Sequence, residues 1–414
     1  MFSAFVFGVC MAASAQTAWP GYMGDLPRAV SESSVAAELP PQSAALAEQA
    51  VAPTGLAQWG GIWRGWACQA AGCDIKVAIR DLSVEGATVT YAGASQLQTV
   101  VDEAPGRFEN DELHMRLKTS ADLVLRLRKD GDMELGIWRN GSLLSAGVLS
   151  RRVPAYVRRV EWLDSLFTEN GKPVRLEMVV HRPEGDGPFP TLVMNHGSTG
   201  MGNRPEWFGL TWTSPEVSAF FVARGWQVIY PQRRGRGHSE GLYDEGFEAD
   251  RSRYSCRAAL ALPGAERALA DVEVAMASIR QRSDVDPQRI VIGGVSRGGI
   301  LATAYAGLHP REVVGAINFV GGWIGASCPD AGKVNGELFT RGAAFPKPTL
   351  WLYGEADPYY PIAHSRTNFN SFQAAGGKGS FEVLMPPKGL DGHSTYTVQR
   401  LWGASVDAYL ASIR

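Results

Sequence analysis

Apolar and polar positions follow two rhythms along this chain. Between about residues 56 and 152 they alternate with period two, as in Asp74-Ile75-Lys76-Val77-Ala78-Ile79-Arg80, Leu113-His114-Met115-Arg116-Leu117-Lys118 and Asp122-Leu123-Val124-Leu125-Arg126-Leu127-Arg128. Successive strand residues point to opposite faces, so this alternation predicts half-buried strands. A turn, Lys129-Asp130-Gly131-Asp132, separates two of the runs, and residues 133–138 and 143–149 continue the series. About six short strands joined by tight turns predict a small all-β barrel or sandwich over 56–152.

Past residue 153 the rhythm changes. Strand-like runs at 176–180, 191–195, 227–230, 289–293, 314–320, 349–353 and 381–384 alternate with helix-like stretches near 215–224, 265–282, 297–308, 361–375 and 397–412. Ile290-Val291-Ile292 is continuously apolar, which a strand covered on both faces requires. The pattern predicts an α/β domain over 153–414, a mostly parallel sheet flanked by helices. Stretches 240–264 and 322–346 interrupt it and read as insertions near one rim of the sheet.

The N-terminus matches neither rhythm. Residues 2–13 are mainly apolar and lead into Ala13-Ser14-Ala15, a small-x-small site, so residues 1–15 read as a signal peptide, although no Lys or Arg precedes the run. Residues 16–55, rich in Ala, Ser, Pro, Gln and Glu, read as a flexible linker or weakly helical tether. Export predicts a periplasmic or secreted protein. It leaves Cys68, Cys73, Cys256 and Cys328, which allow three pairings. Cys68–Cys73 would close a short loop and Cys256–Cys328 would brace the two insertions. A metal site is the weaker reading, because no histidine neighbours the first two cysteines.

Composition narrows the function. With 414 residues there is chain for two or three domains. Lys plus Arg number 40 against 42 Asp plus Glu, a net charge of −2, which argues against a polybasic nucleic-acid binder. No apolar run reaches the roughly 18 residues of a membrane-spanning helix. Neither a phosphate-binding loop, nor a His-Glu-x-x-His pair, nor a dinucleotide fingerprint on a suitable β–α unit occurs, so no cofactor and no metal are expected.

The strongest chemical signal is Gly294-Val295-Ser296-Arg297-Gly298. It follows an apolar strand and opens a helical run, where glycines flanking the serine permit a sharp strand-to-helix turn. The serine oxygen then sits near a helix N-terminus, whose free N–H groups favour developing negative charge.

From this motif onward the chain resembles the α/β-hydrolase superfamily over about residues 155–414, especially its dienelactone-hydrolase-like and prolyl-oligopeptidase-like branches. Gly61-Ile62-Trp63 resembles, over three residues only, the opening of lipocalin-like barrels. The resemblance implies the order nucleophile, acid, histidine. His393, in Gly389-Leu390-Asp391-Gly392-His393-Ser394, stands where the family has its histidine; His309 and His364 are the other candidates after Ser296. Asp357, in Gly354-Glu355-Ala356-Asp357-Pro358, matches the family acid, with Asp391 and Glu355 as competitors. The oxyanion donors implied are the backbone N–H groups of Arg297 and of Ser198, with Thr199 as an alternative, in the loop Asn195-His196-Gly197-Ser198-Thr199-Gly200. His196 reads as structural.

Gln232-Arg233-Arg234-Gly235-Arg236-Gly237-His238-Ser239-Glu240-Gly241 resembles an architectural loop of cocaine-esterase-like relatives, with Gln232 where many carry Asp. Asp244, Glu245, Glu248 and Asp250 read as a solvated face, or as an anionic rim for an amine-bearing substrate. Trp207, Phe208, Trp212, Trp323, Tyr359 and Tyr360 follow strand ends and suit an apolar pocket, into which Arg297 could also point. The expectation is a serine hydrolase cleaving small carboxylic esters through an acyl-enzyme, with a prolyl-oligopeptidase-like peptidase as the alternative. The barrel reads as an accessory domain packed on the catalytic one.

Overall fold

The structure is a computed structural model describing residues 19–23, 26, 35–49, 53–67, 73–152 and 156–413. The expected signal peptide, 1–15, lies outside the described residues. Within 16–55, the stretch expected to be a flexible linker or weakly helical tether, the described residues include a short helix, α1 (Pro41–Glu48), and pack inward. Tyr22, Met23 and Leu26 are buried with Ala146, Val148 and Val398, and Ala47 packs on Ile62 and Ala78. Isolated apolar residues anchor this segment, so no period marked it in the sequence.

Eight antiparallel strands then close on themselves: β1 (Gly61–Ala67), β2 (Cys73–Arg80), β3 (Gly86–Ala94), β4 (Thr99–Glu109), β5 (Glu112–Arg116), β6 (Asp122–Leu127), β7 (Met133–Arg139) and β8 (Ser142–Ser150). The seam pairs β1 with β8, Trp66 opposite Val148. Trp63, Val77, Ile79, Val89, Leu113, Leu123, Leu125, Leu135 and Leu149 fill the interior as a packed core. Of the two anticipated forms it is the barrel, and it has β3 and β4 beyond the strands the alternation marked. The former is rich in Gly and Ala, and the latter carries Pro105-Gly106, so neither reads as a strand from composition.

The second sheet has β9 (Tyr156–Glu169), β10 (Lys172–Pro183), β11 (Phe189–Asn195), β12 (Gln227–Pro231), β13 (Val285–Val295), β14 (Gly315–Phe319), β15 (Thr349–Gly354) and β16 (Gly379–Leu384), in spatial order 16-15-14-13-11-12-10-9. Strands β12 to β16 run parallel, while β9 and β10 form an antiparallel hairpin at one edge. The helices are α2 (Pro215–Val222), α3 (Ala258–Ile279), α4 (Arg297–Leu308), α5 (Ala331–Arg341), α6 (Ile362–Ala374) and α7 (Gln399–Ser412). The two insertions are largely helical at their ends: α3 begins seven residues before the predicted 265, and α5 lies inside 322–346. A disulfide joins Cys256, just before α3, to Cys328, just before α5. Cys73 is disulfide-bonded as well; Cys68, its expected partner, lies outside the described residues.

This order positions a site. From β11 the chain moves to β12 on one side and then to β13 on the other, so the strand order reverses at β11. Loops at the carboxyl ends of β11 and β13 diverge there and leave a crevice. The register sets Asn195 beside Gly294, which brings the loop after β11 against the turn after β13.

Candidate active site

Ser296 sits in that turn with φ +57° and ψ −121°, a conformation that side-chain-bearing residues rarely adopt. The backbone can close this tightly because of its glycines. A Cβ on Gly298 would lie 2.1 Å from the Asn195 carbonyl oxygen, and one on Gly294 would lie 2.2 Å from the Gly298 carbonyl carbon. The Ser296 N–H donates to the Phe319 carbonyl (3.0 Å) and its own carbonyl accepts from Gly322 (3.1 Å), so the turn is held from β14.

Asp357 follows β15 and His393 follows β16, the neighbouring strand. His393 Nδ1 is 2.9 Å from Asp357 Oδ2, and the other carboxylate oxygen accepts the N–H groups of Tyr359 (2.8 Å) and Tyr360 (3.0 Å). Asp357 is buried, while His393 opens onto the same cleft as Ser296. The competitors are engaged elsewhere. Asp391 accepts the Ser394 N–H, His309 lies at the far end of α4 beside Glu273, and His364 bonds Asn335.

The cleft measures about 560 Å³. Ser198 and Arg297 both line it. The Arg297 amide is the first of its helix and so has no intrahelical acceptor. The Thr199 N–H, the alternative donor, is engaged by the Tyr254 hydroxyl (3.2 Å). His196 is buried below: its Nε2 accepts the Arg233 N–H (3.1 Å), and burial together with Arg233 holds it well below its ordinary titration range. This neutral, backbone-bound imidazole matches the structural role expected of it.

The acidic cluster divides: Asp244, Glu248 and Asp250 reach the surface, as a solvated face would, and Glu245 does not. Asp244 pairs with Arg251 and Glu248 with Arg257 at the surface. Glu245 is buried, with Arg233 Nε at 2.5 Å on one side and Arg297 Nη1 at 3.2 Å on the other. Burial raises its carboxyl, but the two guanidinium groups outweigh that and hold it below the usual carboxylate range. Arg233 in turn binds the carbonyls of His196 (2.9 Å) and Gly197 (3.4 Å). One carboxylate therefore ties the loop after β11 to the residue after Ser296. The Arg297 guanidinium lies between Tyr254 and Trp323, 3.7 and 4.4 Å from their ring centres. It is a strut behind the cleft, its charge spent on Glu245.

Gln232 makes a two-point grip on a backbone. Its Oε1 accepts the Trp212 N–H (2.8 Å) and its Nε2 donates to the Trp212 carbonyl (2.9 Å). Of the aromatic residues anticipated, Trp207, Trp212, Trp323, Tyr359 and Tyr360 line the cleft, whereas Phe208 packs on Tyr243 and Phe247. Sequence reasoning missed Tyr254, Tyr396 and Leu97, which come from an insertion, the histidine loop and the barrel. It also missed that the buried Tyr360 hydroxyl donates to the Gly322 carbonyl (2.8 Å), the residue whose N–H holds the Ser296 carbonyl. Among the described residues that line the cleft none is acidic, and Arg236, buried there, has no carboxylate within ion-pair distance among the described residues. No cluster that could hold a metal ion occurs among the described residues, and no helix there is long and apolar enough to cross a membrane.

Residues 204–383 match the dienelactone hydrolase family, a segment that includes Ser296 and Asp357 and stops short of His393. YfhR of Escherichia coli O157:H7 is 26% identical over 190 residues, which cover 44% of this chain and 57% of that protein. Among solved structures, a prolyl endopeptidase is similar at 16% identity and TM-score 0.44, over 84% of this chain and 52% of its own. The esterase Pf2001 of Pyrococcus furiosus is similar at 14% identity and TM-score 0.44, over 62% of this chain and 91% of its own. The chain thus spans little more than half of YfhR and of the prolyl endopeptidase. Behind its closed eight-stranded barrel, this protein carries a mixed sheet flanked by helices, within which residues 204–383 match the dienelactone hydrolase family.

Proposed function

We propose that the protein is an exported serine hydrolase that cleaves carboxylic esters through an acyl-enzyme. The observation that carries the reading is the 2.9 Å contact of His393 with buried Asp357 beside the cleft that Ser296 lines from its strained turn.

Ser296 Oγ attacks the ester carbonyl carbon while His393 Nε2 takes the hydroxyl proton. Asp357 keeps the proton on Nδ1 and stabilises the imidazolium. The carbonyl oxygen becomes an oxyanion facing the N–H groups of Ser198 and Arg297. The carbonyl–alkoxy bond then breaks, and the alcohol leaves with the proton from Nε2. Water, deprotonated by the same nitrogen, attacks the acyl-serine. The serine regains its proton and the carboxylic acid leaves.

An aminopeptidase would need a carboxylate to hold the substrate's free amine, and the cleft's acidic neighbour, Glu245, is already neutralised by Arg233 and Arg297. This argues against an aminopeptidase. The test is hydrolysis of p-nitrophenyl butyrate against a panel of aminoacyl and prolyl p-nitroanilides, with Ser296→Ala as control. Ester cleavage lost in the variant is the expected result. Anilide cleavage would move the function to a peptidase, and ester cleavage retained by Ser296→Ala would overturn the nucleophile.

A further inference from the structure

The barrel reaches the cleft at one point. The turn between β3 and β4, residues 95–98, projects over it, and Leu97 lines the same cavity as Ser296 and His393. Leu97 is 57% exposed, an apolar side chain left uncovered at the mouth of a mostly apolar pocket. Its position is fixed locally. The Ser95 N–H donates to the Gln98 carbonyl (2.7 Å), and Ser95 Oγ accepts the N–H groups of Leu97 (3.2 Å) and Gln98 (3.1 Å). A side chain on so constrained a turn loses little freedom when a ligand covers it.

The adjacent residue locks the turn to the hydrolase domain. Gln96 Oε1 accepts the Thr211 N–H (2.8 Å) and Gln96 Nε2 donates to the Thr211 carbonyl (3.0 Å). Gln232 grips Trp212, the next residue, in the same manner from the sheet side. The segment carrying Trp207, Leu210 and Trp212, all facing the cleft, is therefore clamped between the barrel and β12.

We infer that the β3–β4 turn of the barrel is a specificity element of the active site: Leu97 contacts the apolar chain of an extended ester, and Gln96 positions the tryptophan-bearing wall opposite. The inference rests on the esterase reading for its substrate class. It assigns the barrel a task in substrate selection that its filled interior does not supply.

The test uses the full chain and two readouts. The first is the ratio of kcat/KM for p-nitrophenyl octanoate to that for p-nitrophenyl acetate. The second is the Kd of p-nitrophenyl octyl ether, which cannot be hydrolysed, in a Ser296→Ala background. Leu97→Ala is expected to lower the ratio about three- to tenfold and to weaken ether binding by a similar factor, the scale of a few methylene contacts. Gln96→Ala should lower the ratio in the same direction, with most of the loss in KM. Val101→Ala, an exposed barrel residue that does not line the cleft, is the control and should keep the wild-type ratio. Unchanged ratio and unchanged ether binding in Leu97→Ala would overturn the inference and leave the esterase reading standing. Leu97-dependent ether binding without ester hydrolysis by the wild type would overturn the esterase reading and keep the specificity element. Neither hydrolysis nor binding by the wild type would overturn both.

Discussion

The barrel and the sheet domain bury their apolar residues in opposite ways. In the barrel each strand gives one face to a closed interior that Trp63, Val77, Leu125 and their neighbours fill completely enough to serve as core. In the sheet domain both faces of strands such as Ile290-Val291-Ile292 are covered by helices, and the free space lies at the strand ends. Closure uses up a barrel's interior; an open parallel sheet keeps a crevice where its order reverses. The proposed catalytic residues accordingly lie after β11, β13, β15 and β16, and the barrel approaches them through a hairpin tip.

The comparison breaks first at the triad. Ser296→Ala should cut kcat for p-nitrophenyl butyrate by about 10⁴- to 10⁶-fold and leave Tm nearly unchanged, checked by steady-state kinetics and calorimetry. An equal loss of activity from a change inside the filled barrel, with folding intact, would contradict the division of labour.

Glu245→Gln comes next. It leaves two buried guanidinium groups without their carboxylate, and removing one partner from a buried ion pair costs about 3–5 kcal/mol. We expect a lowered Tm and about a 10- to 100-fold loss in kcat, because the loop after β11 and the residue after Ser296 lose their common tether. A variant with the wild-type kcat at permissive temperature would show that the tether is structural only.

The Cys256–Cys328 bond encloses a separation of 72 residues. Replacing both cysteines by Ser should cost about 2–4 kcal/mol in denaturant unfolding, since the unfolded chain regains the freedom of that loop. Barrel unfolding, followed by the same titration where it is separable, should be unaffected.

The smallest effect is a pH dependence confined to the sheet domain. Glu216, fully buried at the start of α2, has its carboxyl pushed up to about 7, above its unfolded value, by burial; backbone and Ser214 hydrogen bonds oppose the shift. The folded state then holds a proton that the unfolded state releases above about pH 4.5. The stabilisation is complete below that pH and is lost as pH rises through about 7. Glu216→Gln should therefore flatten the decline of Tm between pH 5 and 8.5, by about 1–3 kcal/mol at the upper end. Measured Tm values that fall equally in both proteins would contradict it.

Much of this was legible before any coordinates. Period-two runs marked most of the barrel, apolar runs marked the parallel strands, and the Gly-Val-Ser-Arg-Gly turn lies after the strand it demanded. Spacing could not reveal Glu245. Four acids close together read as surface, and only the fold brings Arg233 and Arg297, 12 residues before and 52 after, to the same carboxylate. Leu97 was illegible for a similar reason: a turn leucine in a β domain carries no mark of the cleft it faces. The packed residues at 19–26 escaped because Tyr22, Met23 and Leu26 cover a flank between β8 and the segment around Leu390 and Val398, a contact with no periodic signature.

The most direct test of the central claim is a pre-steady-state experiment with p-nitrophenyl butyrate, quenched and mapped by peptide mass spectrometry. The account predicts a burst of nitrophenol approaching one equivalent and a butyryl adduct on the peptide containing Ser296, with the burst slowed strongly in His393→Ala. Turnover without any adduct on that peptide, or an adduct at another residue, would contradict it.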